Sequence, residues 1–240
     1  NQGSYAMKTL IQQDEEYDID VGVVFDKVAL DSFERKEPAY IKNHIGKKLK
    51  DDRFLKTPSV LKNCVRVNYK ENYHIDMPVF RKNGEILELA SARSWEQSDP
   101  KSINKWFATE KSNKAHLKKI VQLLKKWSKS RNEWSMPSGL IFSILASECY
   151  CNDERFDKSF YGTLSAINLR LQRNKNIQIP NTSIVITSND QHLTKVKNLS
   201  EKLKSFFNGS FKLYGEDDKQ RAIKIWKHFF SDRYFDEFLK

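Results

Sequence analysis

Three aspartates stand at alternating positions in two apolar stretches near the start of the chain. Asp18 and Asp20 lie in the stretch 17–25, and Asp76 lies in the stretch 74–80. Because successive side chains of a β-strand point to opposite faces, all three acids fall on the face opposite to the apolar residues of their stretch. The pattern therefore predicts carboxylates on the open face of a sheet, outside the core.

Carboxylates that share one face repel each other, and this repulsion raises their pKa values unless a cation binds between them. Magnesium prefers hard oxygen ligands and is usually held by one or two carboxylates together with substrate phosphates. A pair of ions about 3.5–4 Å apart stabilises both the attacking and the leaving oxygen of an in-line displacement. We therefore predict a site for two Mg²⁺ ions, for which Mn²⁺ can substitute, held by Asp18, Asp20 and Asp76.

A glycine-serine pair close to the start of the sequence fits the same chemistry. Gly3 allows the backbone to approach a phosphate closely, and Ser4 offers a hydroxyl and a backbone N–H as donors. Taken singly, Gly-Ser and Asp-x-Asp each have an ordinary explanation as a solvated turn or an exposed strand face. The combination of the pair, the two alternating acids and a third acid on a second strand indicates a functional site for metal ions and phosphate groups.

The first half of the chain reads as a set of strands that position these residues. Residues 3–9 and 17–25 alternate as strands do, with a polar turn between them. Residues 64–69 and 74–80 alternate in the same way and read as a hairpin. Pro78 indicates that the second strand of this hairpin lies near a sheet edge or ends there, because proline cannot donate a hydrogen bond to the ladder.

Helical spacing dominates the second half. Residues 29–50 are already compatible with a helix, and from about residue 100 apolar residues recur at helical intervals with lysines on the opposite face. The boundary between the strand-rich and the helical part falls near residues 98–105. The helices predicted beyond it cover 116–130, 140–149, 159–172, 190–207 and 217–230.

The composition of the chain indicates which kinds of partner its net charge favours. The 240 residues include 42 Lys and Arg against 31 Asp and Glu, a formal net charge of +11. This excess favours an anionic partner such as a nucleic acid, a nucleotide or an acidic surface, although solvated lysines on helix faces would explain it equally well.

The three cysteines lack the paired spacing of a zinc site and fit a reducing, cytoplasmic location. No apolar stretch approaches the roughly 18–20 residues of a membrane span.

Longer strings of the sequence resemble a known family. The strings "QGSYAMKT", "YDIDVGVVF", "VRVNYKENYHIDMPVF", "WEQSDPKSINKWF" and "MPSG" resemble the bacterial cGAS/DncV-like nucleotidyltransferases, or CD-NTases, and among them the DncV-like cyclic GMP-AMP synthase branch. The resemblance implies an α+β protein of the polymerase-β-like nucleotidyltransferase superfamily. It implies a catalytic sheet lobe over residues 1–100, a helical lobe over 101–240 that completes the nucleotide pocket, and an active-site cleft between the two.

The resemblance also implies a role for each acid. Asp18 and Asp20 would hold both metal ions and the nucleoside triphosphate, and Asp76 would complete the second metal site and help to activate the attacking ribose hydroxyl. Gly3 and Ser4 would hold the triphosphate. Each step would join a hydroxyl of one nucleotide to the α-phosphate of another and release pyrophosphate. Two such rounds on ATP and GTP would close a cyclic dinucleotide.

Three further positions carry over from the family pattern. Lys125 in "LLKKW" matches a triphosphate-binding lysine, and Ser138 in "MPSG" matches a phosphate-contacting serine at a helix start. The alternatives are a solvated helix lysine and a simple N-cap. Asp99 in "SDPK" is a candidate for contact with a base or ribose, with a helix cap by Ser98 or Asp99 as the alternative. Gly139 stands where animal relatives carry a base-stacking tyrosine.

The sequence also departs from the family pattern. Val21 stands where this branch often carries a further acid after the pair, and the vertebrate zinc insertion has no counterpart. Family members usually have a helical segment before the glycine-serine pair. We therefore expect that an amino-terminal segment is missing from this sequence.

Three functions are compatible with these residues. The first is synthesis of a cyclic GMP-AMP-like second messenger in bacterial anti-phage signalling of the CBASS type; a regulatory protein partner and a downstream effector are implied, and neither a membrane nor nucleic acid is required. The second is linear oligonucleotide synthesis or nucleotidyl transfer to RNA or protein. The third is a catalytically inactive nucleic-acid-binding module. The presence of all three acids favours an enzyme over the third function.

Overall fold

The computed structural model describes residues 3–11, 17–33, 36–71, 73–209 and 219–239. The chain divides into two compact units, Asn1–Lys105 and Trp106–Lys240. The described strands all lie in the first unit, and the described part of the second unit is helical apart from one isolated bridge. The α+β class predicted from the sequence is therefore confirmed.

The first unit combines two small sheets with short helices. Its helices are α1 (Gly3–Ala6), α2 (Lys27–Asp31) and α3 (Pro38–Lys48). The first sheet has the order β1 (Tyr17–Asp20), β5 (Tyr73–Met77), β4 (Val65–Asn68), β3 (Ser59–Val60). The second sheet has the order β2 (Val23–Asp26), β6 (Val79–Asn83), β7 (Ile86–Ala90), β8 (Trp95–Gln97).

The prediction of one strand over 17–25 was wrong, because this stretch is shared between the two sheets. β1 pairs in parallel with β5, and β2 pairs in parallel with β6. Two hydrogen bonds carry the pairing across the break, from the N–H of Val21 to the carbonyl of Asp76 and from the N–H of Val23 to the carbonyl of Pro78, both 2.9 Å. Pro78 has no N–H to donate, and it separates β5 from β6, so the second alternating stretch, 74–80, is also divided. The prediction that a strand ends at Pro78 is confirmed.

The prediction of a strand over 3–9 was also wrong. Residues Gly3–Ala6 form one helical turn that is closed by the hydrogen bond from the N–H of Met7 to the carbonyl of Gly3, 3.1 Å. Met7 and Thr9 are both buried, so the stretch alternates in burial without being extended. A turn of this length is too short for its apolar spacing to distinguish a helix from a strand.

The core of the first unit lies between the sheets and α3. Val65 and Val79 are fully buried and pack with Ile41 and Ala90, which are also fully buried. On β4 the buried Val65 and Val67 alternate with the partly exposed Arg66 and Asn68, so the period-two pattern places the apolar half of this strand in the core, whereas on β6 Val79 is followed by the buried Phe80.

Lys42 of α3 is buried in this unit with 1% of its surface exposed. Its ammonium donates to the carbonyl of Lys62 and to the carbonyls of Leu61 at 3.1 Å and Ser91 at 3.0 Å. The side chain thereby ties α3 to two loops that are far apart in the sequence.

We expect Lys42→Met to destabilise the first unit by about 3 kcal/mol, because buried carbonyls lose their donor and each unsatisfied group costs about 1–3 kcal/mol. Urea unfolding followed by circular dichroism measures the change. Lys47→Met, at an exposed lysine of the same helix, is the matched control and should cost less than about 1 kcal/mol. Equal stability of the two variants would show that the carbonyl contacts of Lys42 contribute nothing.

The second unit is built from helices that follow the predicted spacing. On α5, the residues predicted as the apolar stripe, Leu117, Ile120, Val121, Leu124 and Trp127, are all buried. α4 begins in the first unit and ends in the second. The observed helices are α4 (Pro100–Asn113), α5 (Leu117–Ser128), α6 (Gly139–Glu148), α7 (Phe156–Arg173), α8 (Asp190–Asn208) and α9 (Lys219–Phe230).

Candidate active site

The parallel pairing of β1 with β5 aligns the predicted acids. Asp18 is in register with His74, and Asp20 is in register with Asp76. Residues in register on neighbouring strands share a face, and neighbouring strands lie about 4.8 Å apart. On the other side of β5, the antiparallel strand β4 places Arg66 opposite Asp76. The backbone therefore sets the three acids and one arginine on a single face, which we call the acidic face.

The structure describes the acids of this face to different extents. Asp20 and Asp76 are both partly exposed, and His74 is buried. The side chain of Asp18 lies outside the described residues, so only its backbone register places it on the acidic face. The predicted role of Asp18 as a metal ligand consequently stays a prediction.

Gly3 brings the glycine-serine turn against the acidic face. Its φ is +65°, and a Cβ atom at this position would lie 2.1 Å from Oδ2 of Asp20. Only glycine fits so close to the carboxylate in this backbone conformation. Ser4 follows in the same turn, with its carbonyl accepting a hydrogen bond from the N–H of Thr9 at 2.9 Å. The turn predicted to approach a phosphate therefore lies beside one of the predicted metal ligands.

Arg66 forms a bidentate ion pair with Asp76 that the sequence motifs did not indicate. Its Nε lies 2.7 Å from Oδ1, and its Nη2 lies 2.7 Å from Oδ2. The two side chains are 31% and 15% exposed, so the pair is partly shielded from solvent. A charge-assisted fork of this kind fixes the orientation of the carboxylate. The signal in the sequence is the alternation of "VRVN", which puts Arg66 on the polar face of its strand.

Cys64 lies next to this pair and responds to the charge of the acidic face. Burial raises the pKa of its thiol to about 12, and the negative charges of Asp76 and Asp20 add to the rise while Arg66 opposes it. The thiol is therefore protonated and unreactive at neutral pH. The Cys64 thiol therefore lies close enough to the acidic face to be affected by the charges of Asp76, Asp20 and Arg66.

The chemistry of the acidic face fits a hard divalent cation. Among the described side chains, no group of three His, Cys, Asp or Glu residues is arranged to hold a metal ion. Asp20 and Asp76 nevertheless supply oxygen donors on adjacent strands, and magnesium often takes only one or two carboxylates and completes its shell with water and phosphate. Asp20 and Asp76 fit this coordination preference of magnesium. The backbone places Asp18 on the same face, two residues before Asp20 on β1.

In the second unit, Lys125 and Ser138 are brought together at the start of α6. Ser138 is the N-cap residue with φ −67° and ψ 161°, and its side chain makes no capping hydrogen bond. A Cβ atom at Gly139 would lie 2.4 Å from Cε and 3.1 Å from Nζ of Lys125. The ammonium group thus lies over the first turn of α6, where backbone N–H groups and the helix dipole already favour an anion. The same contact leaves no room at Gly139 for an aromatic side chain.

Asp99 has a structural role at the start of α4. Its Oδ1 accepts a hydrogen bond from the N–H of Ser102 at 2.9 Å, which is the geometry of an N-cap. The helix cap considered for this residue is therefore present in the structure. Contact of Asp99 with a base or ribose stays a prediction, and it would have to share the carboxylate with this cap.

We expect Lys125→Gln to raise the KM for nucleoside triphosphate about tenfold, because a hydrogen bond to a charged group is worth about 1.5–3 kcal/mol. Initial rates at several nucleotide concentrations measure the change. Lys119→Gln removes an exposed lysine from the same helix and should leave KM unaltered. Equal KM values in the two variants would exclude a phosphate-binding role for Lys125.

Comparison with known proteins connects this geometry to a family. Residues 1–80 match the family model described as "Cyclic GMP-AMP synthase DncV-like, nucleotidyltransferase domain". A cyclic GMP-AMP synthase of Escherichia albertii is 28% identical over 52% of this chain and 30% of its own length. A c-di-GMP synthase of Roseivirga ehrenbergii is 23% identical over 69% of this chain and 52% of its own. The chain thus spans between about a third and about half the length of these two relatives.

Solved structures show the same fold. Escherichia coli DncV in its 3′-deoxy GTP bound form matches 99% of this chain and 70% of its own with a TM-score of 0.70 and 20% identity. Vibrio cholerae DncV in complex with the linear intermediate 5′ pppA(3′,5′)pG matches 97% of this chain and 68% of its own with a TM-score of 0.66 and 18% identity. At this level of identity the likeness concerns the fold.

The fold of this chain is the one that the DncV structures share. The match of residues 1–80 and the two relatives confirm, as a similarity, the resemblance of the sequence motifs to the DncV-like branch of the CD-NTases. No helix in the described ranges is long and apolar enough to cross a membrane.

Proposed function

We propose that this protein is a divalent-metal-dependent nucleotidyltransferase that joins nucleoside triphosphates into a cyclic dinucleotide. The observation that carries the proposal is the register of Asp20 with Asp76, together with the backbone of Gly3 against the Asp20 carboxylate. This arrangement puts two oxygen ligands and a phosphate-binding turn on one face. The family of the first 80 residues and the relatives that make cyclic GMP-AMP or c-di-GMP support it.

The proposed mechanism assigns separate tasks to the two units. In the first unit, Asp18 and Asp20 would hold the metal ions with the triphosphate, and Gly3 and Ser4 would donate hydrogen bonds to it. Asp76 would complete the second metal site and help to activate the attacking ribose hydroxyl. Bound divalent ions, Mg²⁺ in the first place and Mn²⁺ as a substitute, would supply stabilisation of the attacking and leaving oxygens.

Lys125 and Ser138 of the second unit would bind phosphate groups at the start of α6. Their place over a helix N-terminus lets the ammonium group and the backbone N–H groups act on the same anion. Pyrophosphate leaves after each round, and the second round would join the remaining ends of the linear intermediate. Release of the cyclic dinucleotide would then free the active site for new substrates.

We further propose ATP and GTP as substrates, a cyclic GMP-AMP-like product and a cytoplasmic role in CBASS-type anti-phage signalling. In that role the product would act on a downstream effector, and a partner protein would regulate the synthase. A relative solved with a linear pppA-pG intermediate supports a two-step reaction on these two bases.

Incubation of the protein with labelled ATP, GTP, CTP and UTP and either Mg²⁺ or Mn²⁺, followed by phosphatase and mass spectrometry, tests this function. We expect phosphatase-resistant products with the mass of a cyclic dinucleotide, and none when EDTA is present. Products that lose terminal phosphates to the phosphatase would instead indicate linear oligonucleotide synthesis or transfer to an acceptor. Absence of any turnover, with tight and salt-sensitive RNA binding, would indicate a catalytically inactive nucleic-acid-binding module.

A further inference from the structure

The second unit contains a cavity of about 540 Å³ among α5, α8 and α9, which we call the tryptophan pocket. Its volume falls within the range of small-molecule sites, which is about 300–1,000 Å³. Neither Lys125 nor Ser138 lines it, so it is separate from the phosphate site proposed at the start of α6. Among the described residues its lining contains no carboxylate, and its aromatic members are Trp127, Trp134, Phe206 and Phe229.

The aromatic wall of the tryptophan pocket is held rigidly. Trp127 and Phe229 are buried and stacked, with ring centroids 4.8 Å apart and an interplanar angle of 4°. Trp134 packs edge-on against Trp127 with centroids 5.4 Å apart, and it remains partly exposed. Trp134 and Phe206 are the aromatic lining residues with partly exposed rings, and a side chain fixed in place loses little conformational entropy on binding.

Cationic side chains surround that wall. The guanidinium of Arg131 lies 4.5 Å from the Trp134 ring centre and donates to the carbonyls of Phe229 and His228 at 2.9 and 2.7 Å. The ammonium of Lys202 lies 5.3 Å from the same ring centre. Lys224, on α9, also lines the pocket and is exposed. Arg131 is thus fixed in the wall, while the two lysines present charge at the rim.

The positive field continues into a neighbouring cavity that shares Arg131, Lys224 and His228 with the tryptophan pocket. The acids lining that cavity, Asp232 and Asp236, form ion pairs with Lys126 and Lys227 respectively. Their charges are therefore balanced locally, and the rim cations of the tryptophan pocket face no carboxylate in its described lining.

We propose that the tryptophan pocket binds a free nucleotide, with the base against Trp134 and the phosphate at Lys202 and Lys224. The two requirements of such a ligand, a planar ring and a compact negative charge, match the two parts of the lining. The volume of the pocket suits one small molecule and not a continuous strand of nucleic acid. The proposal does not depend on catalysis, because it involves none of the acidic face.

Calorimetric titration of the full chain with AMP and with GMP in EDTA tests this inference. The Asp76→Asn background keeps the measurement independent of turnover. We expect one saturable site per chain for one or both nucleotides. Lys202→Gln, Lys224→Gln and Trp134→Leu should each weaken binding about tenfold, as expected for loss of one charged hydrogen bond or one base-stacking contact. Lys204→Gln, at an exposed lysine of α8 outside the pocket lining, should leave the affinity unchanged.

Three results would overturn the proposal. The first is the absence of saturable binding. The second is binding that Lys125→Gln removes while Lys202→Gln and Lys224→Gln leave it intact, which would place the ligand at the start of α6. The third is binding of a twelve-nucleotide single-stranded RNA far more tightly than either nucleotide, with the same dependence on Trp134. Thermal unfolding of each variant shows whether weaker binding comes from a lost contact or from an unfolded protein. Lys202→Gln and Lys224→Gln change only the surface, so they test the site even if Trp134→Leu fails to fold.

Discussion

Asp76→Asn is expected to lower nucleotide turnover by more than about 100-fold while the protein stays folded. Loss even of an outer-shell partner of a metal ligand costs about 10–100-fold in metal affinity or activity, and Asp76 is proposed as a direct ligand. The asparagine keeps the shape of the side chain and one oxygen acceptor but removes the charge. Pyrophosphate release from ATP and GTP with Mg²⁺ measures the loss.

The fold should survive because Asp76 lies on the acidic face and not in the core. The substitution removes the ion pair with Arg66, which is partly exposed and for which we expect a cost of about 1 kcal/mol. Glu88→Gln is the matched control, since it breaks a similar pair in the second sheet, where Nε of Arg81 lies 2.6 Å from Oε2 of Glu88. Turnover near wild type in Asp76→Asn, or an equal loss in Glu88→Gln, would contradict the proposed role of Asp76.

Gly3→Ala is expected to reduce turnover by about 100-fold, because a misplacement of about 1 Å in a catalytic arrangement can cost that much. The new Cβ atom would start 2.1 Å from Oδ2 of Asp20, so either the turn or the carboxylate has to move. The backbone at φ +65° also disfavours alanine by about 1 kcal/mol. Steady-state rates and urea unfolding, measured on the same preparation, separate the two effects.

Gly84 provides a control, because its backbone has the same conformation as that of Gly3 and the space around its Cα is open to solvent. Its φ is +62°, and a Cβ atom there would meet nothing within 4 Å. Gly84→Ala should therefore lose similar stability and keep its turnover. If both alanine variants lost turnover equally, the effect would come from backbone strain and not from the approach of Gly3 to Asp20.

The sequence predicted the acidic face because side-chain alternation is a local property. Asp18, Asp20 and Asp76 each follow the period of two within their own stretch, so their shared orientation could be inferred without knowing which strands pair. The helices of the second unit could be predicted for a similar reason, since an apolar stripe such as that of α5 extends over several helical turns.

The features that the sequence did not predict depend on non-local pairing. The division of 17–25 between two sheets follows from its parallel pairing with a stretch more than fifty residues away, which breaks at Pro78. The Arg66–Asp76 ion pair depends on β4 lying beside β5, and the approach of Lys125 to Gly139 depends on how α5 packs on α6. Alternation marked Arg66 as polar, but nothing within its own stretch identified its partner.

The most direct test of the proposed metal site is Mn²⁺ binding, followed by electron paramagnetic resonance in the presence of a nonhydrolysable ATP analogue. We predict saturable binding by the wild type and affinities at least about tenfold weaker in Asp20→Asn and in Asp76→Asn, because each variant would lose a carboxylate ligand of the metal ion. Glu88→Gln should bind as the wild type does. Unchanged Mn²⁺ affinity in both aspartate variants would contradict the claim that the acidic face is the metal site.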